Sequence, residues 1–453
     1  MKKLITYSTL LCATMLVACS SDEDFAGLEK DSAALADYNT VQMPELQTAG
    51  SQGMASKSSL SYNYITGGTT FKWEIDDEMG IYPLIDPEED PSEIPAASSS
   101  INSWVIKQLQ DDATLGIFDA DDEHIEAHLG HSYIAVYPYI ADDVDYRDIP
   151  INYDGQKQTA SSKLGCYEKG IGGDETELAK YVTSEETACS HLSVYDYMVD
   201  TERQATEVGG KMHFQMQRLS AIVRFFMTVP GMATETSRMV FDSLQLYNAS
   251  KMFANQTELD ASTGEYSETP TRQSHVLSLQ LGDYGFDYTA CSADDDYYRN
   301  GRWVMTGYLM VPPIDLDTKS TLYLIGRQPA LYADAGEYNT ANGTSLTDEQ
   351  FAALTTQQRI KVYANVAAFN TAKGTSLTDG QFAALTTAQK MKEWTRKVYK
   401  AELVEKNLGK DFLYQWSTTE DEDEPIEFEE IQIQEWEKAT GFTNEDGYGT
   451  EDW

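Results

Sequence analysis

Residues 212–229, MHFQMQRLSAIVRFFMTV, decide the fold class of this chain. Apolar residues alternate with polar ones at Met212, Phe214 and Met216, which is the two-residue period of a β-strand with one buried face. Beyond Arg218 the alternation resumes in the opposite phase, and a second set of residues shares one face: Leu219, Ala221, Val223, Phe225, Met227 and Val229. A change of phase inside one run predicts a β-bulge near Arg218.

Similar short runs, rich in aromatic and β-branched residues, lie on both sides of this stretch. They occupy residues 60–65, 69–73, 79–82, 132–137, 239–247, 276–280, 303–311, 321–325 and 425–436. Turn-forming Gly, Asp, Asn and Pro separate them, and they lack a helical period. Short strands with turn signals between them predict a mainly β protein built from antiparallel sandwiches.

The sequence between the runs indicates where the domains divide. Residues 152–210 are rich in loop-forming residues, and Glu207-Val208-Gly209-Gly210 marks a boundary. We therefore expect an N-terminal β-sandwich at 58–208 and a C-terminal one at 209–440, followed by a tail at 441–453. Residues 19–57 are rich in Ser, Ala and acidic residues, which predicts a flexible acidic tether with a weak strand near 38–46.

A tandem repeat interrupts the second group of strands. Residues 338–361 and 369–392 are offset by 31 residues, and 18 of the 24 aligned positions are identical. Each copy has the spacing of a helix capping box: Thr347 with Gln350, and Thr378 with Gln381. The repeat predicts two helical hairpins, inserted at 338–410 between late strands.

The predicted helices continue beyond the capping boxes. Residues spaced three or four apart would share a helix face in each copy: Ile360, Tyr363 and Val366, then Met391, Trp394 and Val398. Residues 351–410 carry ten Lys or Arg against four Asp or Glu. Such a local excess of positive charge indicates either a solvated helix surface or a docking face for an acidic neighbour, including another copy of this chain.

The N-terminus has the layout of a bacterial export signal. Lys2 and Lys3 precede an apolar run that is too short to span a bilayer, which predicts a signal peptide at residues 1–18. Leu16-Val17-Ala18-Cys19 resembles the lipobox of bacterial lipoproteins, so we expect lipid on Cys19 and an outer-membrane, cell-surface location. The alternative is an ordinary secretory signal in which Cys19 is accidental.

Charge and cysteine content exclude some classes of protein. The formal net charge is −41, and loss of Lys2 and Lys3 with the signal would make it −41 − 2 = −43. Nucleic acid is excluded as a partner, because phosphate contacts need clustered cations. Beyond Cys19, the cysteines Cys166, Cys189 and Cys291 allow one disulfide and one thiol, or three buried thiols.

Motifs for chemistry are missing from the sequence. It contains no G-x-S-x-G, Walker loop, H-E-x-x-H or C-x-x-C, so we expect neither an enzyme nor a bound cofactor. His124, His128 and His131 have a spacing that suits a zinc site only on a helix, which the adjacent Gly130 disfavours. Three acidic runs indicate solvated loops or weak calcium sites: residues 119–123, 142–148 and 294–296. The 28 Tyr and 7 Trp are core residues or platforms for glycans.

Five segments resemble, in order, motifs of the fimbrillin-like (Mfa-like) lipoproteins: Phe71–Tyr82, Ala135–Tyr139, His191–Met198, Met212–Val229 and Ile431–Trp436. The resemblance covers most of residues 58–440, although the helical repeat lies outside the family pattern. It implies two transthyretin-like β-sandwiches and a structural or adhesive subunit of a type V pilus. Its partners would be other pilus subunits, the outer membrane through the lipid, and ligands on host or bacterial surfaces.

The same resemblance implies assembly by donor-strand exchange. A protease would remove an N-terminal strand, and a strand of the next subunit would fill the groove by β-augmentation. Family cleavage follows a basic residue, often Arg, but after the signal this chain has no Arg before Arg147. Of Lys30 and Lys57, Lys57 is the better candidate for proteolytic maturation. The alternative function is a glycan-binding outer-membrane lipoprotein for nutrient capture.

Overall fold

A computed structural model gives the fold of this chain. It describes residues 38–48, 51–55, 59–63, 68–84, 102–110, 113–120, 132–140, 144–161, 187–200, 204–205, 211–230, 238–283, 285–289, 298–299, 302–385, 390–419 and 425–442. The first fifteen strands are β1 (Asn39–Gln42), β2 (Glu45–Thr48), β3 (Ser51–Ala55), β4 (Ser59–Asn63), β5 (Gly68–Lys72), β6 (Glu78–Leu84), β7 (Asn102–Gln110), β8 (Leu115–Ala120), β9 (Ser132–Tyr137), β10 (Ile149–Asn152), β11 (Gln156–Gln158), β12 (Met198–Val199), β13 (Gln204–Ala205), β14 (His213–Gln215) and β15 (Gln217–Arg218).

Fifteen further strands come after these: β16 (Ala221–Thr228), β17 (Arg238–Tyr247), β18 (Phe253–Asp260), β19 (Glu265–Tyr266), β20 (Arg272–Ser274), β21 (Val276–Leu281), β22 (Phe286–Thr289), β23 (Tyr298–Arg299), β24 (Arg302–Val311), β25 (Ile314–Leu316), β26 (Ser320–Pro329), β27 (Trp394–Leu403), β28 (Lys406–Leu408), β29 (Phe412–Gln415) and β30 (Glu429–Ile431). The helices are α1 (Ala335–Asn342), α2 (Asp348–Ala352), α3 (Thr356–Arg359), α4 (Val366–Lys373), α5 (Asp379–Ala384) and α6 (Ile433–Thr440), with a 3-10 helix at Ser190–Tyr195. The chain is mainly β, as the sequence predicts.

The N-terminal part forms one curved sheet. Its strand order is β14-β1-β8-β7-β6-β9-β12-β15, and β13 pairs with β9. Strands β14 and β15 lie at opposite ends of this order, yet only Met216 separates them in the chain. The sheet must therefore curve until its two ends almost meet, and it encloses a core, which we call the N-terminal core.

Alternate residues of this sheet face two different cores. In β9, Tyr133 and Ala135 belong to the N-terminal core, together with Trp73, Trp104 and other buried residues. Ile134 belongs instead to a larger core that is shared with the C-terminal strands. The two-residue period of a strand explains this division, because successive side chains point to opposite faces.

The C-terminal part is a sandwich of two sheets. The seven-stranded sheet has the order β11-β21-β17-β26-β27-β30, with β22 on β17, and the six-stranded sheet has the order β23-β24-β16-β29-β2-β3. Both contribute to the larger core, for example through Leu244 and Leu324 of the first sheet and Val223 and Leu309 of the second. Smaller sheets join β18 with β10, β19 and β20, β25 with β28, and β4 with β5.

The pairing of strands crosses the predicted domain boundary at residues 208 and 209. Strand β10 pairs with β18, and β11 pairs with β21, although both β10 and β11 precede that boundary. At the other end of the chain order, β2 pairs with β29 of the six-stranded sheet. The N-terminal half of the sequence therefore supplies strands to the C-terminal sandwich.

Where a β-bulge is predicted near Arg218, the structure has a break between strands instead, because β14, β15 and β16 pair with β1, β12 and β24 respectively. Met212, Phe214, Met216 and Arg218 are buried in one phase, and Ala221 opens the other phase in β16. The Arg218 side chain is fully buried, and its Nη2 donates to Asp196 Oδ2 at 2.9 Å. The change of phase thus takes the chain from the N-terminal core to the larger core.

The strand predicted at residues 425–436 is wrong over its second half. Only Glu429–Ile431 form a strand, and Ile433–Thr440 form helix α6. Ile433 and Trp436 are three residues apart and share a helix face. Gly441, at φ 76°, ends the helix in the left-handed conformation that glycine favours. The alternation of Ile431 and Ile433 is too short to impose a strand on residues 434–436.

The insert also differs from its predicted limits and helices. It extends from residue 330 to 393, because β27 begins at Trp394 and pairs with β26 over ten residue pairs. The prediction that Ile360 and Met391 are helical is wrong, because they lie in extended bridges to Leu331 and Val362 respectively. Helix α3 already ends at Arg359. Both predicted capping boxes, Thr347 with Gln350 and Thr378 with Gln381, are confirmed.

The two repeat copies leave a common hub of three extended segments. Lys361 N donates to Ala330 O, Lys392 N donates to Lys361 O, and Ala330 N donates to Glu393 O. These bonds form a ring in which each segment pairs with the other two. Each copy therefore projects from the hub as a separate lobe, and β26 and β27 form the third arm.

The lobes have matching internal contacts. Asn339 Nδ2 donates to Leu346 O at 2.8 Å, and Asn370 Nδ2 donates to Leu377 O at 2.8 Å. Each lobe has a small core of its own, formed by three aromatic rings that contact one another. They are Tyr332, Tyr338 and Phe351 in the first lobe, and Tyr363, Phe369 and Phe382 in the second. Sequence identity at an offset of 31 residues thus gives the same local structure twice.

Candidate functional site

The first two strands that the structure describes lie inside two different sheets, the nine-stranded and the six-stranded sheet. Strand β1 lies between β14, to which it is parallel, and β8, to which it is antiparallel. Strand β2 runs parallel to β29, with Gln47 opposite Phe412 and Thr48 opposite Leu413. The segment predicted as a tether thus contains β1, β2 and β3, and the strand predicted near 38–46 is present. We call the place of β1 between β8 and β14 the β1 groove.

Hydrogen bonds fix β1 against β14. Thr40 N donates to Met212 O at 2.9 Å, and the Asn39 side chain accepts from Met212 N at 3.0 Å. Thr40 Oγ1 lies 2.8 Å from Nδ1 of His213, its partner in the register. Burial lowers the pKa of His213. Both polar side chains at the start of β1 are therefore used to complete this side of the groove.

The end of β1 is fixed on both sides. Met43 N donates to Thr114 O at 2.9 Å, and the Gln42 side chain donates to the same carbonyl at 3.0 Å. On the other side, Met216 N donates to Gln42 O at 3.0 Å. Loss of β1 would leave main-chain groups of both neighbouring strands without these partners, which is costly unless another strand supplies them.

Apolar side chains of β1 and of Met43, the residue that follows it, complete the N-terminal core. Val41 is fully buried and Met43 is 2% exposed. Gly116 lies opposite Val41 in the register, and a Cβ added there would stand 3.2 Å from Val41 Cγ1 and 2.7 Å from Ile106 Cδ1. The lack of a side chain at Gly116 thus makes the space that Val41 fills, together with Trp73.

On the side of β24 that faces away from β16, residues 306–310 are capped by side chains. Gln156 Nε2 donates to Met310 O at 2.7 Å, and Gln156 Oε1 accepts from Met310 N at 2.7 Å. Gln158 repeats the arrangement two residues along, with Tyr308 N at 2.8 Å and Thr306 O at 3.0 Å. Two fully buried amides thus replace a neighbouring strand along β24. Over residues 306–310, β24 is therefore not open to an added strand.

A buried ion pair lies where the groove meets the sandwich. Arg218 N donates to Asp411 Oδ1 at 2.8 Å, while the Arg218 guanidinium pairs with Asp196 and lies 4.4 Å from the centre of the Phe71 ring. Desolvation raises the pKa of Asp411, in opposition to the Arg218 charge. This contact ties the end of β15 to the turn before β29, so the two places that hold β1 and β2 are linked.

Most residues singled out from the sequence lie outside the described residues. They are Cys19, Lys57, His124, His128, His131, Cys166, Cys291 and residues 121–123, 142–143 and 294–296. Lys57 itself falls between β3 and β4. Cys189 is described and is 1% exposed. Within the described part, no group of three His, Cys, Asp or Glu is arranged to hold a metal ion.

Sequence reasoning missed two parts of this site. The role of β1 as an inner strand has a weak signal, the alternation of Val41 and Met43, which is too short to distinguish an inner strand from a tether. Gln156 and Gln158 carry no signal beyond their two-residue spacing.

Among the described residues, no helix is both long and apolar enough to cross a membrane.

Comparison with known proteins gives partial likenesses in solved structures. No family model matches the chain, and no curated protein matches it. A "putative cell adhesion protein" of Bacteroides ovatus ATCC 8483 has a TM-score of 0.31 and 13% identity, over 63% of this chain and 82% of that one. A protein of Bacteroides fragilis NCTC 9343 with the same description has a TM-score of 0.33 and 9% identity, over 83% and 91%.

A third similar structure is a fimbrial protein of Bacteroides vulgatus ATCC 8482. Its TM-score is 0.26 and its identity is 11%, over 60% of this chain and 78% of that one. These three solved structures are thus described as cell adhesion and fimbrial proteins of Bacteroides species. TM-scores of this size are too low for a function to be transferred from the superposition.

Proposed function

We propose that this protein is a surface-exposed lipoprotein and a structural or adhesive subunit of a pilus that assembles by donor-strand exchange. One observation carries the proposal: β1, near the N-terminus, is an inner strand bonded on both sides. An inner strand close to a chain end can leave without breaking the rest of the chain, and the groove it leaves can only be refilled by another strand.

Cleavage after Lys57 would start this exchange. It would detach β1, β2 and β3 together, since all three precede residue 57. The same cut would separate the folded protein from the lipid expected on Cys19. Release from the membrane and opening of the β1 groove would thus be one event, and before cleavage the groove is filled by the chain itself.

A second segment of this chain matches the pattern of the first strands. Residues 39–46 read NTVQMPEL and residues 429–436 read EEIQIQEW. Gln and Glu recur at the fourth and seventh positions, and Ile431 and Ile433 take the places of Val41 and Met43. Val41 and Met43 are the buried apolar residues of this first segment. Residues 429–436 of a second copy therefore have apolar side chains at the spacing needed to fill these two places.

Peptide binding to the opened groove tests the proposal. The full chain, with a specific protease site in place of residues 56–58, is folded, cut, and mixed with a peptide of residues 427–438. We expect the peptide to displace the cut N-terminal segment, and a peptide with Ile431→Asp and Ile433→Asp to fail. Equal binding of both peptides, or of neither, overturns the exchange, as would natural filaments whose subunits begin at Cys19.

The alternative function, glycan capture by exposed aromatic rings, has less support in the described structure. Of the five tryptophans whose side chains the structure describes, Trp394 is half-buried beside the Arg327 guanidinium, and Trp73, Trp104, Trp416 and Trp436 are at most 3% exposed. Indole rings buried to this degree are core residues and are not available to stack on a sugar.

A further inference from the structure

Helix α6 covers the outer face of the seven-stranded sheet. Trp436 is fully buried there, and its indole N–H donates to Gln245 Oε1 at 2.8 Å. Around it lies a small apolar cluster that joins the sheet and the C-terminal segment: Tyr323, Ile325, Val398, Tyr247, Ile431, Ile433, Ala439 and Phe442. We call the covered face of the sheet the α6 seat.

The α6 seat is unusually polar for a buried face. Ser243 and Gln245 are fully buried, and within the described part of the chain Ser243 Oγ and Gln245 Nε2 have no hydrogen-bond partner. Asp242, 5% exposed, lies 3.4 Å from Arg327 Nε at the edge of the same face. Covering such groups removes their water without replacing its hydrogen bonds, so the helix is held less tightly than an apolar seat would hold it.

The rest of the C-terminal segment is also weakly attached. Strand β30 pairs with β27 over three residue pairs only. The ion pair of Lys397 with Glu430 lies at the surface, where such pairs contribute little. Helix α6 has eight residues, and the side chain of its first flanking residue, Gln432, makes no capping hydrogen bond within the described structure. A short uncapped helix depends on its packing for stability.

The residues that hold this segment in place are the ones that match the first strands. Ile431, Ile433 and Trp436 contact the α6 seat, and the same three stand at the positions of Val41, Met43 and Leu46. One set of side chains cannot fill two places at once. In the helix Ile433 shares a face with Trp436, whereas in a strand it shares a face with Ile431.

We propose that β30 and α6 store residues 429–436, which we call the exchange segment, until these residues enter a neighbour's β1 groove. Release of α6 from its seat then controls the rate of assembly. This inference rests on the proposed function. The seat and a neighbour's β1 groove then compete for residues 429–436. A subunit whose groove is open cannot act as a donor until α6 leaves its seat. The polar seat keeps the free energy of this opening low.

Variants of the seat test this inference without altering the exchange segment. Val398→Thr places a hydroxyl under α6 at nearly constant volume, and Ser243→Ala removes a buried hydroxyl that lacks a partner. Both are made in the full chain with the protease site at 56–58, which is folded and then cut. Hydrogen exchange of the amides of Ile433–Thr440 reports opening of α6, and light scattering after the cut reports assembly.

We expect Val398→Thr to speed both amide exchange in α6 and assembly by about tenfold, and Ser243→Ala to slow both. The control is Val223→Thr, at an equally buried valine of β16, which should leave α6 exchange unchanged. The 427–438 peptide should bind all variants alike, because the groove is untouched.

The outcomes separate the two proposals. If the peptide binds every variant alike but the assembly rate does not change with the rate of α6 opening, the storage inference is overturned and strand exchange stands. If the peptide fails to enter the groove of any variant, strand exchange by this segment is overturned, and storage with it.

Discussion

Val41 stands directly opposite Gly116, and its Cγ1 lies 3.2 Å from the point where a Cβ on Gly116 would be. This contact joins the strand that is proposed to leave to the groove that it would leave open. The same added atom would lie 2.7 Å from Ile106 Cδ1, which is closer than real Cβ contacts. The fit of β1 therefore depends on the absence of one methyl group.

We predict that Gly116→Ala destabilises the intact protein by about 1–3 kcal/mol, because overpacking forces β1 or Ile106 to move. Urea unfolding measures the change. Combined with Val41→Ala, the loss should be smaller than the sum of the two single losses by about 1 kcal/mol. Gly380→Ala is the control, since a Cβ there meets nothing within 4 Å. Additive losses would show that Val41 does not rest on Gly116.

The amides of Gln156 and Gln158 give a second prediction. Replacing either with Leu removes its two hydrogen bonds to β24, together with a third bond to Tyr153 O or Ala160 O, and leaves buried main-chain groups of β24 without partners. We expect each variant to lose about 1–3 kcal/mol of unfolding free energy and to associate more readily through the exposed edge. Unfolding and sedimentation measure these effects. As the control, Gln280→Leu, at an exposed position of β21, should neither lower the unfolding free energy nor increase association. Unchanged stability would mean that β24 needs no such cap.

The sequence predicts those features that repeat along the chain. The alternation in Met212–Val229 predicts the strands and the change of phase near Arg218, because both can be seen in adjacent residues, although the change of phase is a break between strands and not a bulge. The capping boxes of the repeat are likewise local. Features that depend on distant partners escape such reasoning: nothing in residues 39–48 indicates that β1 and β2 pair with strands some 70 to 370 residues away.

The error at the C-terminus has the same origin. Ile431 and Ile433 fit a strand, whereas Ile433 and Trp436 fit a helix, and the local pattern cannot decide between them. Packing on the outer face of the sheet decides in favour of the helix from Ile433 onward. In the proposed exchange, the same ambiguity lets one segment adopt two conformations.

The lobes of the insert give a third prediction. Each lobe has its own aromatic core, and β26 and β27 remain paired up to Pro329 and Trp394. Replacing residues 331–392 with Asn-Gly, a favoured hairpin turn, should therefore leave the sandwich folded. We expect the midpoint of thermal unfolding to move by no more than about 4 °C. Circular dichroism measures it, and the loss of a cooperative transition would show that the lobes stabilise the sandwich.

A last prediction concerns pH and the α6 seat. Burial raises the pKa of Asp242 to about 7, although Arg327 and Arg396 oppose this rise. The folded protein thus holds a proton on Asp242 that the unfolded chain, with its ordinary pKa of 3.8, releases. Its contribution to stability is fully present below the unfolded value and is lost as pH rises from about 4 to about 7.

Asp242→Asn should therefore remove part of the loss of stability between pH 4 and pH 7. The slope of unfolding free energy against pH should change by at most about 1.4 kcal/mol per pH unit, the limit for one proton. Urea unfolding at several pH values measures it, with Asp315→Asn, at an exposed position, as the control. An unchanged slope in the Asp242 variant would mean that this carboxyl is already ionised in the fold, and that the arginines beside it outweigh its burial.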